Sequence, residues 1–330
     1  VTTVIRRRGA AAVLTVVLGL VLGSCASGPS QVNAAAIVDG RTIGVGQVQE
    51  LVDRAVKAEP AAQTLADQHK LGDLSREVLT QLVMHELITS YTAQNPVTVD
   101  PAQLSQVAEQ IRASTEPLPT DGTAAPEAIV ATAATKVFEP EFLARDYLAL
   151  AAIGDRELNS VKVTFDYAVL APGQDGATGS LREKALAKAQ QLAVGLDRAA
   201  AVQKQDTADG ELQWETITTT PTAQEGLESS ALFGTGPNTV VAFQPNQQNA
   251  SWIIALIRER EVSAPQAGAA KNPLQVAIPF GQRVLQSWVD RVGVKISPRY
   301  GVFDQVAMRL AAGDAESTGV LVPVKVDAKP

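Results

Sequence analysis

Cys25 ends the tetrapeptide LGSC, Leu22 to Cys25, and is the only cysteine in the chain of 330 residues. A leucine, two small residues and a cysteine match a bacterial lipobox. The thiol can carry a thioether-linked diacylglyceryl group, and the small neighbours let a signal peptidase approach the backbone. Ahead of it, Arg6, Arg7 and Arg8 precede an apolar run from Gly9 to Leu22 broken only by Thr15, which is the pattern of an export signal. The run is short for a retained transmembrane helix, and polar sequence follows it. An exported protein with an incidental thiol is the competing reading. Other chemistry-bearing residues are sparse. His69 lies in the polar stretch ADQHKLG and His85 flanks the apolar face of a helical pattern, so each reads as a surface or boundary residue. Glu139, Glu141 and Asp146 lie on an amphipathic helix pattern and read as a solvated face. The sequence shows no Ser-His-Asp order with a nucleophile elbow, no glycine-rich phosphate loop and no histidine pair at ligand spacing. No metal or cofactor is expected from it.

The elements around these residues fall into two periods. AAAIVDGRTIG, residues 34 to 44, places two short apolar runs about the turn Asp39-Gly40, as in a small hairpin or a strand ending in a tight turn. Helical spacing then holds from Val45 to Lys57 and from Leu74 to Ala93. Asp100 and Pro101 predict a capped helix start, with Gln103 placed to complete a capping box. Residues 114–126 read as a loop, and 127–150 as an alanine-rich helix that Pro140 must kink or break. At Val161 the period changes to two: Val161, Val163, Phe165, Tyr167 and Val169 share one face of a strand. A helix over Leu181 to Arg198, a short strand, a second short helix near Glu225 to Leu232 and two more strands follow, in the order β, α, β, α, β, β. A last helix from Pro273 leads into VGVKISPRYGVFD, where Val292, Val294 and Ile296 alternate as in a strand. That strand lacks a local partner. The one comparable unpaired edge outside the α/β unit is AAIVDGRTIG, so the two are expected to pair, with Pro298 ending the strand and Tyr300 and Phe303 packing on the helices.

Composition narrows the function. One cysteine excludes an intrachain disulfide, so the fold must rest on its core. The formal charge is −7, and becomes −10 without the three arginines of the first 24 residues, which hold no acids. An acidic chain is a poor partner for nucleic acid or for anionic lipid by charge alone. Aromatics are 4% of the residues, so the core should be Ala, Val and Leu, with little stacking surface for sugars or bases.

Taken together, the VDG strand, helical unit, α/β insert, last helix and short terminal strand resemble the SurA and PrsA family of extracytoplasmic chaperones and foldases. The segments AAIVDGRTIGVGQVQELV and ISPRYGVFD are similar in particular to actinobacterial lipoproteins with a SurA-like N-terminal domain. The resemblance implies an α+β fold: a discontinuous helical SurA-like domain, closed by an N- and C-terminal strand pair, with an inserted parvulin-like α/β domain. The implied organisation is a lipoprotein signal peptide over 1–24, a tether over 25–34, and the first part of the helical domain over 35–157. The parvulin-like domain then covers 158–262, and the closing helix and strand 263–310. Residues 311–330 lie outside the resemblance; Pro323 and polar flanks make them read as a flexible tail, whose VLVPVKV could add as an edge strand but is not expected to.

Parvulins usually carry a histidine on the first strand and another on the last. Here Tyr167 and Trp252 stand at those places, while TADGELQW, with Asp209, Gly210, Leu212 and Trp214, resembles the family's glycine turn. The pocket implied by the resemblance is Tyr167, Leu212, Trp214, Phe233 and Trp252. Without the histidines, the implied function is ATP-independent binding of unfolded or extended exported chains. The protein would sit on the outer face of the cell membrane, held by lipid on Cys25. An active peptidyl-prolyl isomerase and an envelope scaffold holding one specific partner are the alternatives.

Overall fold

The computed structural model describes residues 33–173, 180–245, 250–264 and 272–325. The expected signal segment, and Cys25 with it, lie outside the described residues. The chain opens with β1 (Ala34–Val38) and β2 (Arg41–Gly44), an antiparallel hairpin. Its turn residues Asp39 and Gly40 both take positive φ, 50° and 73°, as the tightest hairpin turns require. Helices α1 (Val45–Ala58), α2 (Gln63–Asp67), α3 (Leu71–Gln94), α4 (Pro101–Ser114), α5 (Pro126–Lys136) and α6 (Pro140–Glu157) follow. Pro140 breaks the expected long helix outright and starts α6, where its missing N–H costs no bond. Asp100 caps α4 through the N–H of Ala102 at 2.9 Å, and Gln103 takes no part.

The α/β unit begins with β3 (Val161–Leu170) and continues through α7 (Leu181–Leu192), α8 (Leu196–Asp209), β4 (Glu215–Thr219), β5 (Thr239–Phe243) and β6 (Trp252–Val262). The single helix expected over Leu181 to Arg198 is two, because Gly195 leaves the helix with extended backbone and the chain restarts at Leu196. The short helix expected near Glu225 to Leu232 is a pair of 3-10 turns, Leu227–Ser229 and Ala231–Gly234. The last part of the chain supplies α9 (Leu274–Val292), β7 (Val294–Ile296), β8 (Val302–Asp304), β9 (Arg309–Ala311) and β10 (Gly319–Pro323).

Among the described residues three sheets form, in the orders β2-β1-β7, β10-β5-β6-β3-β4 and β8-β9. In the first, β7 runs antiparallel to β1 with Ala36 opposite Ile296 and Val38 opposite Val294, so the first strand of the described chain pairs with the strand that follows α9. Trp288 Nε1 donates to Ser90 Oγ at 3.0 Å, and Ser90 Oγ donates to Asp39 at 2.6 Å, tying α9 and α3 to the hairpin turn. Tyr300 is buried on the same core and Phe303 packs against it.

The tail departs from expectation. Residues 319–323 form the edge of the five-stranded sheet, with Val320 opposite Ala242 and Val322 opposite Val240. The reason is burial: Val320 and Val322 pack on the core beneath α7 and α8, and Asp304 holds the N–H and hydroxyl of Thr318 at 2.6 and 2.9 Å. Pro323 is tolerated at the end of an edge strand.

Both faces of the five-stranded sheet are covered. Ala168, Leu170, Val240, Ala242, Ile254 and Leu256 face α7 and α8. Val161, Val163, Phe165, Val241, Ala255 and Ile257 face the other way, into the core that the helical unit builds from Val78, Leu79, Phe280 and their neighbours. The helical unit and the α/β unit therefore share one continuous core. Helices α6 and α9 cross at backbone contact: a Cβ on Gly154 would lie 2.0 Å from Ala277 O, and one on Gly281 would lie 2.1 Å from Leu150 O.

Candidate functional site

The five residues of the implied parvulin pocket do not share one surface. Alternation along β3 sends Tyr167 to the side of Phe165, while Leu170 and its partner Trp252 point into the core under α7 and α8. Leu212 and Trp214 belong to that second core, and Trp214 Nε1 donates to Asp206, which also pairs with Lys188 at 2.7 Å. Phe233 is fully buried on the opposite face, edge-on to Phe280 at 6.3 Å. Tyr167 and Leu212 meet in a cavity of about 290 Å³ at the β4 edge, which the other three do not line. There the Tyr167 hydroxyl donates to Glu215 at 2.9 Å, and that bond, with some burial, holds its pKa above the usual phenol value.

The two units meet on α9. Gln286, fully buried, donates from Nε2 to Ala231 O and to Thr235 Oγ1, both at 3.2 Å. Gly234 leaves room for it, since a Cβ there would sit 2.6 Å from Gln286 Oε1. Beside this joint, Arg260 Nε donates to Phe233 O at 2.7 Å, and its guanidinium lies 3.8 Å from Glu157. Glu157 in turn accepts from Tyr91, whose pKa burial pushes up to about 12. The joint is thus a mixed apolar and hydrogen-bonded seam, and it shuts the part of the interface that it occupies.

Next to the seam the surface is concave. A groove of about 590 Å³ is walled by Leu232, Phe243 and Ile253 of the α/β unit and by Val306 of the last segment, with Arg283 of α9 and Thr318 also in contact. Glu225, exposed, stands at its rim. Arg283 is only 5% exposed. Its Nη1 donates to Gln286 Oε1 at 2.8 Å and to Val306 O at 2.7 Å, while its Nε has no acceptor. Burial lowers its pKa to about 10, against the pull of Asp304. A second concavity of about 500 Å³ lies between α1, α4 and α5, with Ile111, Val137 and Phe138 beside Arg54 and Lys57. Near it, buried Glu59 accepts from Lys136 at 2.6 Å. Burial alone would raise the Glu59 pKa, but the bonds from Lys136, Ala61 and Leu118 outweigh it and the net shift is downward.

Neither histidine lines either concavity. His69 is exposed, in left-handed backbone with φ 57°. His85 sits at a boundary, its Nδ1 3.0 Å from Asp146 and its ring 4.5 Å from Phe142. The expectation for the carboxylates needs one correction. Glu141 is exposed and pairs with Arg112 at 3.1 Å, but Asp146 is buried, turned inward because His85 on α3 gives it a partner. Among the described residues no group of three or more His, Cys, Asp or Glu is placed to hold a metal ion. No helix of the described residues is long and apolar enough to cross a membrane.

Sequence periodicity passed over Arg283 and Gln286, since α9 reads as an apolar helix. The available signal was a charged and an amide residue three apart between Val284, Leu285 and Trp288, too polar for the face they occupy.

Neither a protein-family model nor a curated protein matches the chain. Among solved structures, it is similar to the crystal structure of a foldase protein, PrsA, from Lactococcus lactis, at 15% identity over 80% of this chain and 94% of that one, with a TM-score of 0.24.

Proposed function

We propose that this chain is an exported lipoprotein that binds unfolded or extended polypeptides without ATP, from the outer face of the cell membrane. The observation that carries the reading is the groove of about 590 Å³ beside the seam, where apolar walls from two parts of the chain flank a few polar groups. An apolar lining drawn from two parts of the chain can accept extended segments of varied sequence. In this reading residues 35–157 and 263–310 form the helical domain and 158–262 the insert. LGSC at Leu22 to Cys25 supplies the anchor.

An isomerase would need its pocket residues on one surface, and alternation along β3 divides Tyr167 from Trp252. Prolyl isomerisation needs only a site that favours the twisted amide, against a barrier of about 20 kcal/mol. That reading is therefore tested beside the first. The purified chain should suppress aggregation of a denatured client at near-stoichiometric ratio, while leaving isomerisation of a proline tetrapeptide near its uncatalysed rate. Isomerisation far above background with no effect on aggregation would reverse the assignment, and co-purification of one stoichiometric partner from membranes would favour a scaffold. For the anchor, Cys25→Ala should move the protein from the membrane to the soluble exported fraction and abolish labelling by a palmitate analogue.

A further inference from the structure

Arg283 poses a problem that the fold does not solve internally. A buried guanidinium normally has an anion or a full set of acceptors, because removing the charge from water costs several kcal/mol. Here two neutral oxygens, Gln286 Oε1 and Val306 O, share one nitrogen, and Nε has no acceptor. Asp304 exerts an opposite charge on it, but both carboxylate oxygens are engaged: one accepts the N–H of Val306 and Ala307, the other the N–H and hydroxyl of Thr318. Half-buried Arg260, by contrast, has Glu157 at 3.8 Å. Among the described residues Arg283 is in no ion pair, and it lines the groove.

We propose that Arg283 makes the groove selective for extended peptide segments that carry an aspartate or glutamate side chain between apolar residues. The inference rests on the reading of this groove as a client site. Arg283 is desolvated when the protein folds, so a bound carboxylate adds only its own desolvation and gains a charge-assisted bond. Leu232, Phe243, Ile253 and Val306 take apolar neighbours on either side of the acid. Water is the competing acceptor, but it brings no charge. Glu225 at the rim and the acidic balance of the chain oppose long-range attraction, so the selectivity is one of contact and should survive moderate salt.

The test uses the purified full chain and labelled, C-terminally amidated peptides with a Leu-Val-Glu-Val-Leu centre, set against the same peptide with Gln for Glu. A photoreactive group beside the central residue reports location. The Glu peptide should bind at least about tenfold more tightly, a difference worth about 1.4 kcal/mol, and should crosslink to Leu232, Phe243 or Val306. Equal affinities with crosslinks in the groove would overturn the acid preference and leave the client site standing. Binding that instead requires the Gln peptide with a free C-terminal carboxylate would overturn it in favour of a chain-end receptor. No binding by any peptide, or crosslinks only elsewhere, would remove the client site as well. Arg283→Met should erase the difference between the peptides; if it keeps its circular dichroism and retains the preference, the assignment to Arg283 fails. Should that variant not fold, the peptide series on the unaltered chain decides.

Discussion

His85 Nδ1 lies 3.0 Å from both carboxylate oxygens of Asp146, a pairing between α3 and α6 that is only half-buried. The hydrogen bond to Asp146 raises the histidine pKa most, burial opposes it, and the charges of Asp146 and Glu86 add to the rise while that of Arg145 reduces it. A folded-state value above the unfolded one means that folding favours the protonated ring. Its contribution to stability is therefore fully present below the unfolded value, about 6.5, and is lost as pH rises through the higher folded value. Urea denaturation midpoints should thus fall as pH rises above about 6.5, and Asp146→Asn should flatten that slope. An unchanged slope in the variant would show that other groups set it. The pairing was hidden in the sequence because His85 and Asp146 are 61 positions apart, and each alone looked like surface. Arg283 was passed over for a related reason: one cation on the apolar face of a helix has no period to betray it.

Elements carry most of what could be foreseen. The hairpin, helices α1, α3 and α4, the long helix that Pro140 divides into α5 and α6, and the period-2 strand over Val161 to Leu170 follow from spacing, turn residues and caps, while the short α2 and the last turns of α6 do not. The crossing of α6 and α9 does not, because two glycines on separate helices become a contact only once those helices meet. Gly281→Ala should gain up to about 1 kcal/mol in helix propensity. It would also drive a methyl to 2.1 Å from Leu150 O, so the helices must part, at a cost of about 1–3 kcal/mol or more. The clash wins, and the thermal midpoint should fall; a rise would show that the crossing has slack. The edge strand β10 gives a second prediction. Truncation after Ala312 removes Val320 and Val322 from the second core and unpairs the outer edge of β5. The truncated chain should melt lower and associate with increasing concentration in light scattering, since an open apolar edge invites another strand. A monomeric chain with the full-length midpoint would contradict this role for β10.

At the scale of the molecule, the helical unit and the sheet share one core, and Gln286, Arg260 and the Gly234 contact stitch them together. Denaturant unfolding should accordingly be a single transition, with tryptophan fluorescence and far-ultraviolet circular dichroism coincident. Two separated transitions would mean that the seam contributes little. The sequence by itself determined the α+β class, the order of most elements, the absence of a disulfide framework and the pairing of β1 with β7. These depend on local period, on composition, and on a strand that had one plausible partner left. Only the tertiary structure decided that the tail is the sheet edge, that the implied parvulin residues divide between two faces, and that Arg283 lies buried beside a groove. Those facts depend on which elements pack across the sheet, and packing energy comes from contacts between residues far apart in the chain, which no local pattern records.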